Sequence, residues 1–113
     1  MTTTDRDLLE RAAKAAGMKL DYTIRPDGKA FYHSERNALA LADGGWFAPL
    51  TDDGDTLRLA VKLRMVVAIR PHEVEVFSEE SGECLASVHT EGRDPFEACR
   101  EAITRAAAAM GGE

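Results

Sequence analysis

Cysteine is scarce in this chain: two residues in 113, Cys84 and Cys99. That number excludes a disulfide framework of the secreted kind, and with no charged-then-apolar leader ahead of Asp5 the expected compartment is reducing and cytoplasmic. No apolar run approaches the roughly 20 residues that cross a bilayer, so no membrane partner is expected. Basic residues are short as well. Fourteen Lys and Arg stand against twenty Asp and Glu, a formal charge of −6 with a pI near 5.1. Broad attachment to phosphate backbones or anionic lipid needs the opposite balance, and basic partners are favoured instead.

Chemistry-bearing motifs are missing too. No G-x-G-x-x-G follows a strand and there is no Walker loop; Gly28 and Gly82 read as turn glycines. His33, His72 and His89 stand apart, with no H-x-H or H-x-x-x-H spacing, and neither cysteine has a neighbouring base. No catalytic set, metal site or cofactor is expected. Repeats, low-complexity tracts and interdomain linkers are absent. What is present, 44% hydrophobic and 30% charged residues, is the composition of an ordinary packed domain. At this length one core forms without metals or disulfides, so a single domain over residues 1–113 is expected.

Residues 4–16 place Leu8, Leu9, Ala12, Ala13 and Ala16 at helical spacing, opened by Thr4 and Asp5 and closed by Gly17. Residues 20–24 alternate in strand fashion, 25–29 (RPDGK) are turn chemistry and 30–33 follow, which predicts a small hairpin. Ala38 to Ala42 fits either a short strand or a helical turn, and residues 34–45 are assigned to a connection. A second helix is predicted over 53–63. Thr51, Asp52 and Asp53 are N-cap candidates, and Leu59, Ala60, Leu63 and Val67, with Leu57 and Val61 beside them, predict a wide buried stripe opposite Arg58, Lys62 and Arg64.

From Met65 the period changes to two. Strands are predicted over 65–69, 73–77 (Val74 and Val76 inward) and 84–89, a meander with a corner at 70–72 and a loop at 78–83. Asp94-Pro95-Phe96-Glu97 opens the last helix with an N-cap acceptor, a proline at the first position and a glutamate at the third. Phe96, Cys99, Ile103, Ala106 and Met110 form its predicted buried face, with Glu97, Arg100, Glu101 and Arg105 opposite and Gly111-Gly112 as the stop. The predicted fold is α+β: one small antiparallel sheet of three to five strands covered by three helices, in αββαβββα order.

Two surfaces are candidates for function. Asp52-Asp53-Gly54-Asp55 resembles part of a calcium loop, but the run passes straight into Leu57-Arg58-Leu59 without the alternate oxygen ligands and closing glutamate, so helix capping is the expected role. Partner contact by Trp46, Asp52, Asp53 and Asp55 is kept as a secondary possibility. The stronger asymmetry lies between residues 73 and 97. Glu73, Glu75, Glu79, Glu80, Glu83, Glu91, Asp94 and Glu97 face a single cation, Arg93. Such a segment is either a solvated strand face or a surface that docks on a basic groove, and Glu73, Glu75, Glu79, Glu80, Glu83 and Glu91 are the partner-binding candidates. Tyr22, Phe31 and Tyr32 alternate with Lys19, Arg25 and Lys29 in a way that suits base stacking. A half-buried hairpin gives the same pattern, and the net charge weighs against direct nucleic-acid binding.

Three runs carry a resemblance: DLLERAAKAAG over 7–17, W-x-x-P-L-T-D-D-G-D-T-L-R-L-A-V-K-L over 46–63, and GRDPFEACREAITRAAA over 92–108. The chain resembles small accessory proteins of tailed phages and prophages, and in outline is similar to the phage ABA-sandwich proteins, in which an opening helix, a helix after a proline-containing loop and a closing helix cover a small sheet. The resemblance implies a phage or prophage origin and no reaction. An acidic phage protein without enzyme signatures is then expected to act in the bacterial cytoplasm by binding a protein. One such class inhibits a host defence nuclease complex, as anti-CRISPR and anti-restriction proteins do by covering basic nucleic-acid channels. The alternative is a structural or housekeeping phage component, ahead of a nucleic-acid-binding module or enzyme. Monomer and homodimer both remain open.

Overall fold

Among the described residues, 4–111 of a computed structural model, three helices and six short strands follow in the order α1 (Asp5–Ala15), β1 (Tyr32–His33), β2 (Ala38–Ala40), β3 (Trp46–Phe47), α2 (Asp53–Lys62), β4 (Met65–Ile69), β5 (Glu73–Ser78), β6 (Cys84–His89) and α3 (Pro95–Gly111). The α+β class with three helices matches the sequence reading. The sheet does not stay single: β1-β2-β3 and β4-β5-β6 form separate antiparallel three-stranded sheets. No helix among these residues is long and apolar enough to cross a membrane.

The first sheet corrects the predicted hairpin. The Asp21 carboxylate accepts from both the amide (2.8 Å) and the hydroxyl (2.6 Å) of Thr23, an Asx turn that ends the extended segment just after Leu20. Leu20 therefore bridges Leu41, and Asp21 N–H donates to the Ala40 carbonyl. The run assigned to a connection supplies β2, the central strand. Its three residues Ala38, Leu39 and Ala40 are all buried, so it lacks the polar alternation that marks a half-exposed strand. Asn37, in the left-handed region at φ 50°, turns β1 into β2. It accepts from the Tyr32 hydroxyl (2.7 Å) and donates to Asp5 (2.9 Å), tying that hairpin to α1.

The α2 helix begins where predicted, with Asp52 as its N-cap, but its buried stripe is narrow. Thr56 and Leu59 are buried, with Ala60 and Leu63 partly covered, while Leu57 and Val61 are 64% and 69% exposed. The helix touches α3 and β4, and among the described residues the flank that carries Leu57 and Val61 is left exposed. In α3 the predicted face is likewise rotated. Phe96 is 67% exposed and Met110 is also exposed; the buried positions are Ala98, Ala102, Ile103, Thr104, Ala106, Ala107 and Ala108. This helix lies between α1 and the second sheet, so it buries two stripes of small residues instead of one stripe of large ones. It extends to Gly111; Gly112 lies outside the described residues.

Among the described residues, the contact between α1 and α3 is the most extensive between any two elements. Ala12, Ala13 and Ala16 of the first helical segment and Ala102, Ala106 and Ala107 of α3 are buried, and a Cβ at Gly111 would run into the Arg11 carbonyl. Leu9, Leu39 and Phe47 join Val74, Val76 and Val88 in one cluster, so both sheets share a core. Filling the close contact is expected to be costly. Ala106→Leu should lower stability by about 1–3 kcal/mol through overpacking, whereas Leu57→Ala on the open flank of α2 should change it by less than about 0.5 kcal/mol. Urea midpoints at constant m-value test both.

Candidate functional site

The carboxylates of the 52–55 run all have structural partners. Asp52 accepts from the Asp55 amide (2.8 Å) and caps α2. Asp55 accepts from the Ala48 amide (2.8 Å) with one oxygen and from Arg58 (2.7 Å) with the other. That bond to Asp55 is the main reason the Arg58 guanidinium is held above its ordinary pKa. Asp53 pairs with Arg100 at 2.7 Å, while Arg100 Nε also donates to the Leu50 carbonyl (3.0 Å). The Thr56 hydroxyl donates to the Pro49 carbonyl, and Pro49 itself is buried. The run is a latched helix start.

Trp46 is placed differently. Phe47 and Leu39 face the core, which turns Trp46 to the other side of the first sheet. There it is half-buried, with ring centroids 6.1 Å from Phe31 and 5.6 Å from His33 and the Arg36 guanidinium 5.3 Å over its ring. Ala38 and Ala40, the strand partners of His33 and Trp46, give the rings room to meet. The Arg36 amide donates to His33 Nδ1 at 3.2 Å. Sequence reasoning did not bring His33 and Arg36 to Trp46. The available signal was the period-two spacing of Phe31 and His33, masked once the strand after it was assigned to a connection. Tyr32 points inward to Asn37, and burial raises its hydroxyl pKa, so the Phe31–Tyr32 stacking pattern is divided between two faces.

A cleft of about 600 Å³ lies between α1, the loop before α2 and α3, lined by Asp5, Leu8, Asn37, Leu50, Thr51, Glu97, Glu101 and Arg105. Its size suits a small ligand, but its glutamates are engaged. Arg93 bridges Glu101 (2.6 Å) and Glu97 (3.2 Å), and Arg105 holds Glu101 at 2.8 Å. The bond to Glu101, then that to Glu97, raises the Arg93 pKa.

The acidic segment divides into parts. On β5, Val74 and Val76 point into the core, so Glu73 and Glu75 lie on the opposite face. Glu73 accepts from the Ser87 hydroxyl (3.1 Å) and Glu75 pairs with Arg70 (2.5 Å). Strand register puts Val66 beside Phe77 and Ala68 beside Glu75 on that face, which no helix among the described residues covers. Glu79, Glu80 and Glu83 occupy the exposed β5–β6 connection, and among the described residues their carboxylates have no ion pair. Glu91 is exposed further along; Asp94 caps α3 through the Phe96 amide (3.1 Å). Charge follows this division. Residues 1–50 carry seven Lys/Arg and seven Asp/Glu, and residues 51–113 carry seven and thirteen, so the whole net charge belongs to the second half.

Asp52→Ala should cost about 1 kcal/mol by removing the cap of α2, seen as a lower urea midpoint. The thiols should also separate kinetically. Cys84 is exposed, while burial, with Arg100 opposing and Asp53 adding, pushes the Cys99 thiol up; a neutral-pH disulfide reagent should therefore modify C99S, which retains Cys84, faster than C84S. Comparison of the chain with family models, with curated proteins and with solved structures finds no match.

Proposed function

We propose that the protein works without catalysis, by binding another protein through the uncovered face of the second sheet and the acidic β5–β6 connection. One observation supports this reading above the rest. Among the described residues, Val66, Ala68 and Phe77 lie among Glu73 and Glu75 on a sheet face that no helix covers, next to Glu79, Glu80 and Glu83, whose carboxylates lack an ion pair there. Apolar contacts with acidic neighbours fit a partner surface that is basic and partly apolar, of the kind that otherwise holds nucleic acid. The acidic carboxylates then supply steering and register, and the valine and phenylalanine side chains supply burial.

The resemblance to phage accessory proteins directs the choice of partner. A host defence nuclease complex with a basic guide or DNA channel is the class to test, which makes the protein an inhibitor of the anti-CRISPR or anti-restriction type acting in the bacterial cytoplasm. Capture from host lysate at rising salt, with DNA and guide RNA as competitors, tests the reading. The expected result is a defence-complex subunit retained at low salt, displaced by nucleic acid, and bound at least about tenfold more weakly by the E79K/E80K/E83K variant. Capture indifferent to salt and to the triple reversal would sink the acidic-surface mechanism, and co-purification with virions alone would favour a structural phage role.

A further inference from the structure

The second sheet has two edges, and they are built differently. β6 (CLASVH) meets β5 across a bulge at Val76/Phe77 and exposes Cys84, Ser87 and His89. β4 (MVVAI) is regular and carries no charge, proline or bulge along its length. Natural sheets guard their edges with those devices, because an unguarded edge pairs with another strand. Exposed apolar side chains concentrate around it. Ile69 is 69% exposed and Val66 is exposed on β4 itself, and Leu57 and Val61 are exposed one helical turn apart on α2, which leads into β4 through Leu63 and Arg64.

The register shows which backbone groups are free. The Arg70 amide donates to the Glu73 carbonyl (2.9 Å) and the Glu79 amide to the Arg64 carbonyl (3.1 Å), which makes 70 with 73 and 64 with 79 the hydrogen-bonded pairs of the β4–β5 ladder. By antiparallel alternation Val66 and Ala68 also turn their N–H and C=O toward β5. Met65, Val67 and Ile69 turn theirs outward, and no other hydrogen bond among the described residues uses them. These three positions are symmetric about Val67.

From this we infer that the protein forms a two-fold homodimer in which β4 pairs antiparallel with β4 of a second copy, Val67 opposite Val67, joining the two second sheets into one of six strands. This register pairs Met65 with Ile69 of the other copy and satisfies the outward groups of all three residues; any shifted register leaves some unpaired. The dimer is isologous, as two-fold contacts must be. Charge permits it. Across the axis Arg64 lies beside Arg70 of the other copy, but each arginine is flanked on its own chain by a glutamate, Glu79 or Glu73, so the row of four is neutral. The antiparallel arrangement also sends the two acidic β5–β6 connections to opposite ends of the joined sheet. A stable dimer buries about 800 Å² per partner, more than a strand edge about 17 Å long supplies. The remainder must come from apolar side chains beside the edge, of which Ile69 on β4 is 69% exposed.

The dimer does not depend on the proposed function. Sedimentation of the full chain should give twice the 12.3 kDa monomer mass. V67P removes an outward N–H along with the valine's packing against the core, I69K places a charge on the seam, and each should weaken dimerisation at least about tenfold, I69K with the far-UV circular dichroism unchanged. Should the proline variant unfold, I69K, at an exposed position, carries the test alone. Register is read by cross-linking: in a C84S background V67C should oxidise to a disulfide-linked dimer, because paired Cα atoms at the axis are about 5.5 Å apart, and faster than V66C. A wild-type chain that is monomeric at every concentration overturns the inference and leaves the edge to a strand from another protein; a dimer that persists in both V67P and I69K, or V67C cross-linking no faster than V66C, overturns the β4 seam.

Discussion

Everything else in the fold is set by how closely α1 and α3 approach. Alanine on both sides, and glycine where Arg11 meets the end of α3, let the two backbones come together without intervening bulk. Each alanine contributes little transfer free energy, but the contact positions two larger surfaces. α1 lies on the first sheet through β2, and α3 lies on the second through β5 and β6. One close helix pair thus merges two three-stranded sheets into a single core.

The parts of the fold that were legible in the sequence are those whose signal is local. Asp52 before α2 and Asp94 before α3 are caps, and caps act within three residues. The β4-β5-β6 meander was legible from Val74 and Val76 because one face of that sheet is buried and the other is solvated. Ala38-Leu39-Ala40 failed the same test for a physical reason: a strand buried on both faces shows no alternation, and three residues are too few for length to decide between strand and helix. Phe96 misled because hydrophobicity was read as burial. In α3 the deepest positions belong to alanine, since α1 leaves no space for a larger side chain.

The candidate surfaces show a similar division between local chemistry and tertiary placement. The aspartates near Trp46 read in sequence as the cap of a helix, and each is held by a backbone amide or an arginine, with Asp52 as the N-cap of α2. Trp46 has a different setting, an aromatic group assembled from three strand-borne or adjacent positions that only the β1-β2-β3 register brings together. The acidic segment was legible as composition, but composition does not distinguish Glu75, neutralised by Arg70, from the glutamates of the β5–β6 connection. That distinction follows from where the strands end.

Arg100 has a consequence for how the molecule comes apart. Its guanidinium, on α3, grips both the Leu50 carbonyl and Asp53, 50 and 47 residues away in sequence. The segment before α2 is latched from α2 by Asp55 on the Ala48 amide and Thr56 on the Pro49 carbonyl, and Arg100 adds a second hold from α3. Opening α2 must therefore break a charged contact with the helix that lies on the second sheet, which couples the flank to the centre. Local opening of the start of α2 therefore costs the Arg100 contacts to α3 as well as the helix's own cap.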